Sequence, residues 1–136
     1  MQHNTFQPIR NSELPRCFRR LHLVLARESG HPEGDAEIGY VFIAPLDEND
    51  RIDAAVWKAH REACRVTRLR PGGDDIRGHL IHRPGGSWAF HYDVSGTAPD
   101  EAGFHFDKES FRLGEYVSVR EAGTEQTYRV ASVTPL

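Results

Sequence analysis

Three features of the chain predict an α+β fold, a mostly antiparallel, strongly bent sheet or small β-barrel of about eight short strands with one inserted helix. The first is alternation of aromatic with polar residues in Phe90-His91-Tyr92-Asp93 and again in Phe104-His105-Phe106-Asp107, which has the period of a strand. The second is the turn content: twelve Gly and eight Pro in 136 residues favour short elements over long helices. The third is a single stretch with apolar residues at helical spacing, 51–63. A chain of this length buries one core of ordinary size without disulfides or a metal as obligatory staples.

Residues 1–15 are polar, contain Pro8 and Pro15 and have no period, so they read as a flexible leader, with one α+β domain over 16–136. From Arg19 to Ala26, Leu21, Leu23 and Leu25 alternate with Arg20, His22 and Val24, the pattern of a half-buried strand. Gly30, Pro32 and Gly34 mark a loop over 28–35. A second strand follows from Glu37 to Ala44, and Pro45 ends it.

The helix is expected from Arg51 to Ala63. Asp50 is the expected N-cap and Asp53 stands three residues on, ahead of a stripe of Ile52, Val56, Ala59 and Ala63 with Trp57 beside it as an anchor on the sheet. A charged strand then spans Arg65 to Arg70. Arg70-Pro71-Gly72-Gly73 closes it, and the same residue types recur at Arg83-Pro84-Gly85-Gly86; Pro presets φ and Gly accepts positive φ, so both are turns.

The segment 78–93 is the clearest hairpin. With Arg83 and Ser87 flanking a Pro-Gly-Gly loop, His82 faces Trp88, Leu80 faces Phe90 and His79 faces His91. That register places Leu80, His82, Trp88, Phe90 and Tyr92 on one face, and His79, Ile81, Ala89, His91 and Asp93 on the other. Residues 94–103 read as a loop and Phe104 to Asp107 as a short strand. A final hairpin pairs Glu115–Arg120 with Thr127–Val133 around Glu121-Ala122-Gly123-Thr124.

Composition excludes several functions. The formal charge of −3 argues against a duplex-binding surface, because nonspecific nucleic-acid affinity comes from neutralising phosphates. Residues 84–136 hold 4 Lys/Arg against 8 Asp/Glu, so the acidic half contains the His/Asp pairs. No run of ~18 apolar residues crosses a membrane, and the N-terminus lacks a secretory pattern. Two cysteines, Cys17 and Cys64, make no disulfide framework and read as free thiols in a reducing, cytoplasmic compartment. Phosphate loops, dinucleotide fingerprints, nucleophile elbows and paired zinc-binding cysteines are all missing.

Two constellations remain. His91, Asp93, His105 and Asp107, with His79 as a fifth member, would set imidazoles and carboxylates on one face of neighbouring strands, a donor set suited to a divalent transition metal such as Zn²⁺, Fe²⁺ or Mn²⁺. The plainer reading of those residues is the wet face of a half-buried sheet. Trp88, Phe90, Tyr92, Phe104 and Phe106 would line a small-ligand or peptide site in a barrel mouth, and the plainer reading is that they form the core. Homodimerisation through an edge strand is a third reading.

The stretches Gly39-Tyr40-Val41-Phe42-Ile43-Ala44-Pro45-Leu46-Asp47, Ser87-Trp88-Ala89-Phe90-His91-Tyr92-Asp93 and Phe111-Arg112-Leu113-Gly114-Glu115-Tyr116-Val117-Ser118-Val119 resemble those of a group of small uncharacterised bacterial proteins. The resemblance implies a bacterial, single-domain, soluble protein and assigns no activity, cofactor or site residue. The sequence therefore points to a small binding or interaction module with a small-molecule or protein partner, the alternative being a metal-dependent protein built on the two His-x-Asp pairs.

Overall fold

A computed structural model describes residues 13–27, 32–72, 75–93 and 99–136. The strands are β1 (Phe18–Leu25), β2 (Asp35–Pro45), β3 (Arg65–Leu69), β4 (Ile76–His82), β5 (Trp88–Tyr92), β6 (Glu101–Phe104), β7 (Tyr116–Glu121) and β8 (Thr124–Pro135). Each pairs antiparallel with the next, and β8 returns to β1, which closes an eight-stranded barrel. Closure gives every strand a neighbour on both sides, so strand addition has no free edge to use among the described residues. The named helical elements are α1 (Ala54–Ala59) and a 3-10 turn at Arg61–Ala63. The expected leader lies outside the described residues as far as residue 12, while Leu14 is buried against the core.

The β4–β5 hairpin has the register expected from its turn. His82 pairs with Trp88, Leu80 with Phe90 and His79 with His91. The Arg83 N–H donates to Ser87 O at 2.8 Å across the Pro-Gly-Gly loop. The other Arg-Pro-Gly-Gly turn and the loops expected at 28–35 and 94–103 fall partly outside the described residues.

The helix starts three residues later than the sequence suggests. Asp47 Oδ1 accepts from the backbone N–H groups of Asn49 and Arg51, at 2.8 and 3.0 Å, and Asp50 adopts a positive φ of 59°, which bars it from capping. Asp53 is the N-cap instead, accepting from Ala55 N and Val56 N at 3.1 and 3.2 Å. Trp57 is the helix's buried residue, and its indole Nε1 donates to Leu80 O at 2.9 Å. Of the expected stripe, Ile52 is buried and Val56 and Ala63 pack against the core beside Trp57, while Ala59 is exposed.

The other departure is at β6. The strand covers 101–104, and 105–108 form a turn in which Lys108 N donates to His105 O at 2.8 Å. His105 has a φ of 55°. The turn folds Phe106 back beneath β6, where a Cβ on Gly103 would stand 2.4 Å from the Phe106 ring. Phe106 is buried by this close approach and not by strand alternation.

Alternating strand directions give the barrel two rims. The helix rim carries α1, the β4–β5 turn and the β6–β7 connection; the far rim carries the other four connections. Toward the helix rim the interior is filled with rings. Phe42 meets Phe90 at 5.2 Å and Phe111 at 5.9 Å between centroids, Phe106 meets Phe111 at 5.0 Å, and Trp57 meets Trp88 at 5.3 Å. Among the described residues no helix is long and apolar enough to cross a membrane.

Candidate functional site

Toward the far rim the interior changes chemistry within one pleat. Side chains two apart on a strand share a face. On five strands the step from one inward position to the next runs from apolar to polar: Phe42 to Tyr40, Val66 to Arg68, Phe90 to Tyr92, Val119 to Glu121 and Val130 to Tyr128. On β6 it runs from Gly103 to Glu101. Six strands thus contribute one side chain each to a single polar layer.

The layer is built around two carboxylates and one guanidinium. Tyr40 Oη lies 2.9 Å from Glu101 Oε1 and 2.8 Å from Glu121 Oε2. The Tyr92 hydroxyl donates to Glu101 Oε1 at 2.5 Å, and the Tyr128 hydroxyl donates to Glu121 Oε2. Arg68 bridges the pair, with Nε 3.3 Å from Glu101 Oε2 and Nη2 3.0 Å from Glu121 Oε1. Every oxygen of both carboxylates has a partner. Such complete pairing is what makes ionisable groups tolerable at this depth.

Burial also shifts the titration of Glu101 and of the phenols around it. Glu101, 7% exposed, is the one charged residue in the buried core set of the described chain. Its carboxyl is pushed above the usual range by desolvation, which outweighs the Tyr92 and Tyr40 hydrogen bonds and the Arg68 charge. Burial raises the phenols of Tyr40, Tyr92 and Tyr128, and the adjacent carboxylates raise them further. Desolvation works against the charge on Arg68, but Glu101, Tyr40 and Glu121 hold it above the ordinary guanidinium value.

Two hollows adjoin the layer. One of about 450 Å³ is lined by Arg68, Tyr92, Glu101, Glu121 and Gln126 together with Arg70, Ile76, Pro99 and Thr124. The second, about 270 Å³, shares Arg68, Arg70 and Glu121 with the first and is also lined by Leu25, Ile38, Leu69 and Tyr128. Gln126 lines both, and its Oε1 is buried without a hydrogen-bond partner. A larger hollow of about 560 Å³ sits elsewhere, over Arg27, Glu33, Asp35, Tyr116 and Arg129, but its charged walls are mostly solvent-facing and make no such layer.

Most residues singled out from the sequence are placed away from this layer. Trp88, Phe90 and Phe106 are packed in the core, and Phe104 lies in β6. Tyr92 alone of that group reaches the layer, through its hydroxyl. His91 and Asp93 are exposed at one end of the β4–β5 face. There the β5–β6 register brings Asp100 beside His91, with Nδ1 2.7 Å from Asp100 Oδ1, while His79 Nδ1 stands 3.4 Å from Asp93. Arg83 also reaches Asp100, at 3.0 Å. Hydrogen bonds from His91 and Arg83 hold the Asp100 carboxyl below its usual range, against the opposing effect of its partial burial.

His105 and Asp107 are in the turn at the helix rim, since β6 runs antiparallel to β5 and carries them away from His91. Among the described residues no group of three or more His, Cys, Asp or Glu is placed to hold a metal ion. Comparison of the chain with known protein families, curated proteins and solved structures finds no match, so the site stands on its geometry.

Proposed function

We propose that the protein is a small-ligand binding module whose seat is the polar layer at the far rim, and that its ligand is a small polar molecule carrying both charge signs. The observation that carries this reading is the Arg68–Glu101–Glu121 constellation forming the wall of a 450 Å³ hollow while the barrel below it is filled. A hollow of that size is within the ~300–1,000 Å³ range of small-molecule sites. Its lining offers guanidinium groups at Arg68 and Arg70, carboxylates at Glu101 and Glu121, and apolar walls at Ile76 and Pro99. A zwitterion the size of an amino acid or dipeptide would match both signs, and the orphaned Gln126 Oε1 would accept from its ammonium after a small side-chain movement.

The binding-module reading from the sequence is kept, and its seat moves from the aromatic set to the layer those aromatics support. The free thiols of Cys17 and Cys64 support a reducing, cytoplasmic setting. The test is a thermal-shift titration with free amino acids and dipeptides. A ligand present at 100 times its dissociation constant stabilises by about 2.7 kcal/mol. A saturable shift from a zwitterion, lost in Arg70→Ala, supports the reading; a flat response across the whole panel at millimolar concentration overturns it.

A further inference from the structure

The hydrogen atoms of the polar layer do not balance when both glutamates are ionised. Tyr40 has one hydroxyl proton, yet its oxygen lies within hydrogen-bond distance of Glu101 and Glu121 at once. Tyr92 and Tyr128 each spend their single proton on the same two carboxylate oxygens, while Arg68 donates to Glu121 Oε1 and stands 3.3 Å from Glu101 Oε2 as an ion pair. One of the two Tyr40 contacts then has no hydrogen and sets a phenol oxygen directly against a carboxylate oxygen in a largely buried layer. We propose that the Glu101–Tyr40–Glu121 chain holds one extra proton near neutral pH, shared between the two carboxyl groups through the phenol.

With that proton the chain is complete. A protonated carboxyl donates to Tyr40 Oη, Tyr40 donates to the other carboxylate, and that carboxylate balances Arg68, so the layer carries no net charge. Without it the layer carries one net negative charge, the costly state for a buried set. Two carboxyl groups sharing a site cannot ionise with equal ease, and the second proton is retained. Glu101 is the more buried of the two, and desolvation raises its carboxyl, which favours it as the holder.

The charged and titratable groups that face the pair are Tyr40 from β2, Arg68 from β3, Tyr92 from β5 and Tyr128 from β8, with Arg70 at the edge of the hollow. On the outer side Asp100, next to Glu101 in the chain, is engaged by His91 and Arg83. Arg68 and Tyr128 also approach Tyr40 as hydrogen-bond partners, but a proton from either does not lie between Tyr40 Oη and the second carboxylate. The proposal is independent of any ligand.

The sign follows from linkage. The folded protein binds a proton that the unfolded chain, with ordinary glutamates near pH ~4.3, gives up. The stabilisation is complete below the ordinary glutamate value and is lost as pH rises through the raised folded value. Inside that window the folding constant falls by up to about tenfold per pH unit, and above it the curve flattens.

The test is a ¹³C titration of the glutamate side-chain carboxyls in the full-length protein, from pH 3 to 9. The expected result is one titration step of the Glu101/Glu121 pair well above ~4.3. Two steps at or below that value overturn the proposal. The second measurement is the pH dependence of unfolding in Glu101→Gln and Glu121→Gln. Either amide supplies a hydrogen to Tyr40, so at least one variant should keep wild-type acidic-side stability and lose the decline with pH. Equal destabilisation of both variants at every pH, with the wild-type slope unchanged, also overturns it.

Discussion

Replacing Arg68 with alanine removes the cation that, among the described residues, touches both carboxylates of the layer. Nε and Nη2 each serve a different glutamate, so one substitution orphans two acceptors, Glu101 Oε2 and Glu121 Oε1. Removing one partner of a fully buried ion pair costs about 3–5 kcal/mol. Arg68 keeps 22% of its side-chain surface exposed, which lets water reach part of the site and places the expected loss near the lower end, about 3 kcal/mol at pH 7. The cost should shrink toward acid, because protonating the carboxyls removes the uncompensated charge; the variant's stability therefore falls more steeply than wild type as pH rises. Urea unfolding at pH 7 and pH 5 measures both quantities. A loss below about 1 kcal/mol that is the same at the two pH values is the signature of a solvated surface pair. That outcome would refute the buried-layer argument.

Three further outcomes are expected. Gly103→Ala brings a methyl to 2.4 Å from the Phe106 ring and must displace it, costing roughly 1–3 kcal/mol in chemical denaturation; a neutral result would show that the ring does not lie under β6. Asp53→Ala removes the side-chain acceptor of α1 and should cost about 1 kcal/mol, whereas Asp50→Gly, at a positive φ, should cost far less on the same measurement or stabilise. Burial pushes the Cys64 thiol up to about 12, so iodoacetamide at pH 8 should leave Cys64 unmodified until the protein is unfolded; rapid labelling of native Cys64 by mass spectrometry would contradict its burial.

The sequence is most informative where local chemistry and tertiary packing agree. In 78–93 the Pro-Gly-Gly turn and strict alternation select the same register, and the barrel adopts it. The closing β7–β8 hairpin is legible as a pair of strands, but its turn is tighter than expected: Glu121 and Thr124 pair as strand residues around Ala122-Gly123. Legibility fails where one residue type serves two roles. Asp50 satisfies a capping pattern, but Asp47 captures the neighbouring amides first. Phe104-His105-Phe106-Asp107 alternates like a strand, yet Gly103 leaves room for Phe106 to turn back, and only Phe104 of the four stays in β6.

The polar layer escapes a strand-by-strand reading because its members are distant in sequence. Glu101 and Glu121 look like loop and turn residues, Arg68 like one charge in a charged strand, and Tyr40 like part of a buried run. The available signal is the inward step from apolar to polar at the same strand level, Val66 to Arg68 and Val119 to Glu121 among them. It becomes visible once the registers line those levels up. The His91–Asp93 and His105–Asp107 pairs carried the opposite signal: similar in sequence, they are carried to different ends of the β5–β6 pair by its antiparallel course.

The most direct test of the far-rim site is a map of backbone amide shifts in the ¹⁵N-labelled protein, titrated separately with a zwitterionic dipeptide and with Zn²⁺. The account predicts that the dipeptide perturbs residues around Arg68, Tyr92, Glu101, Glu121 and Gln126, and that Zn²⁺ produces no saturable site at His91, Asp93, His105 or Asp107. Dipeptide shifts confined to other surfaces, or stoichiometric Zn²⁺ binding at those His/Asp positions, would contradict it.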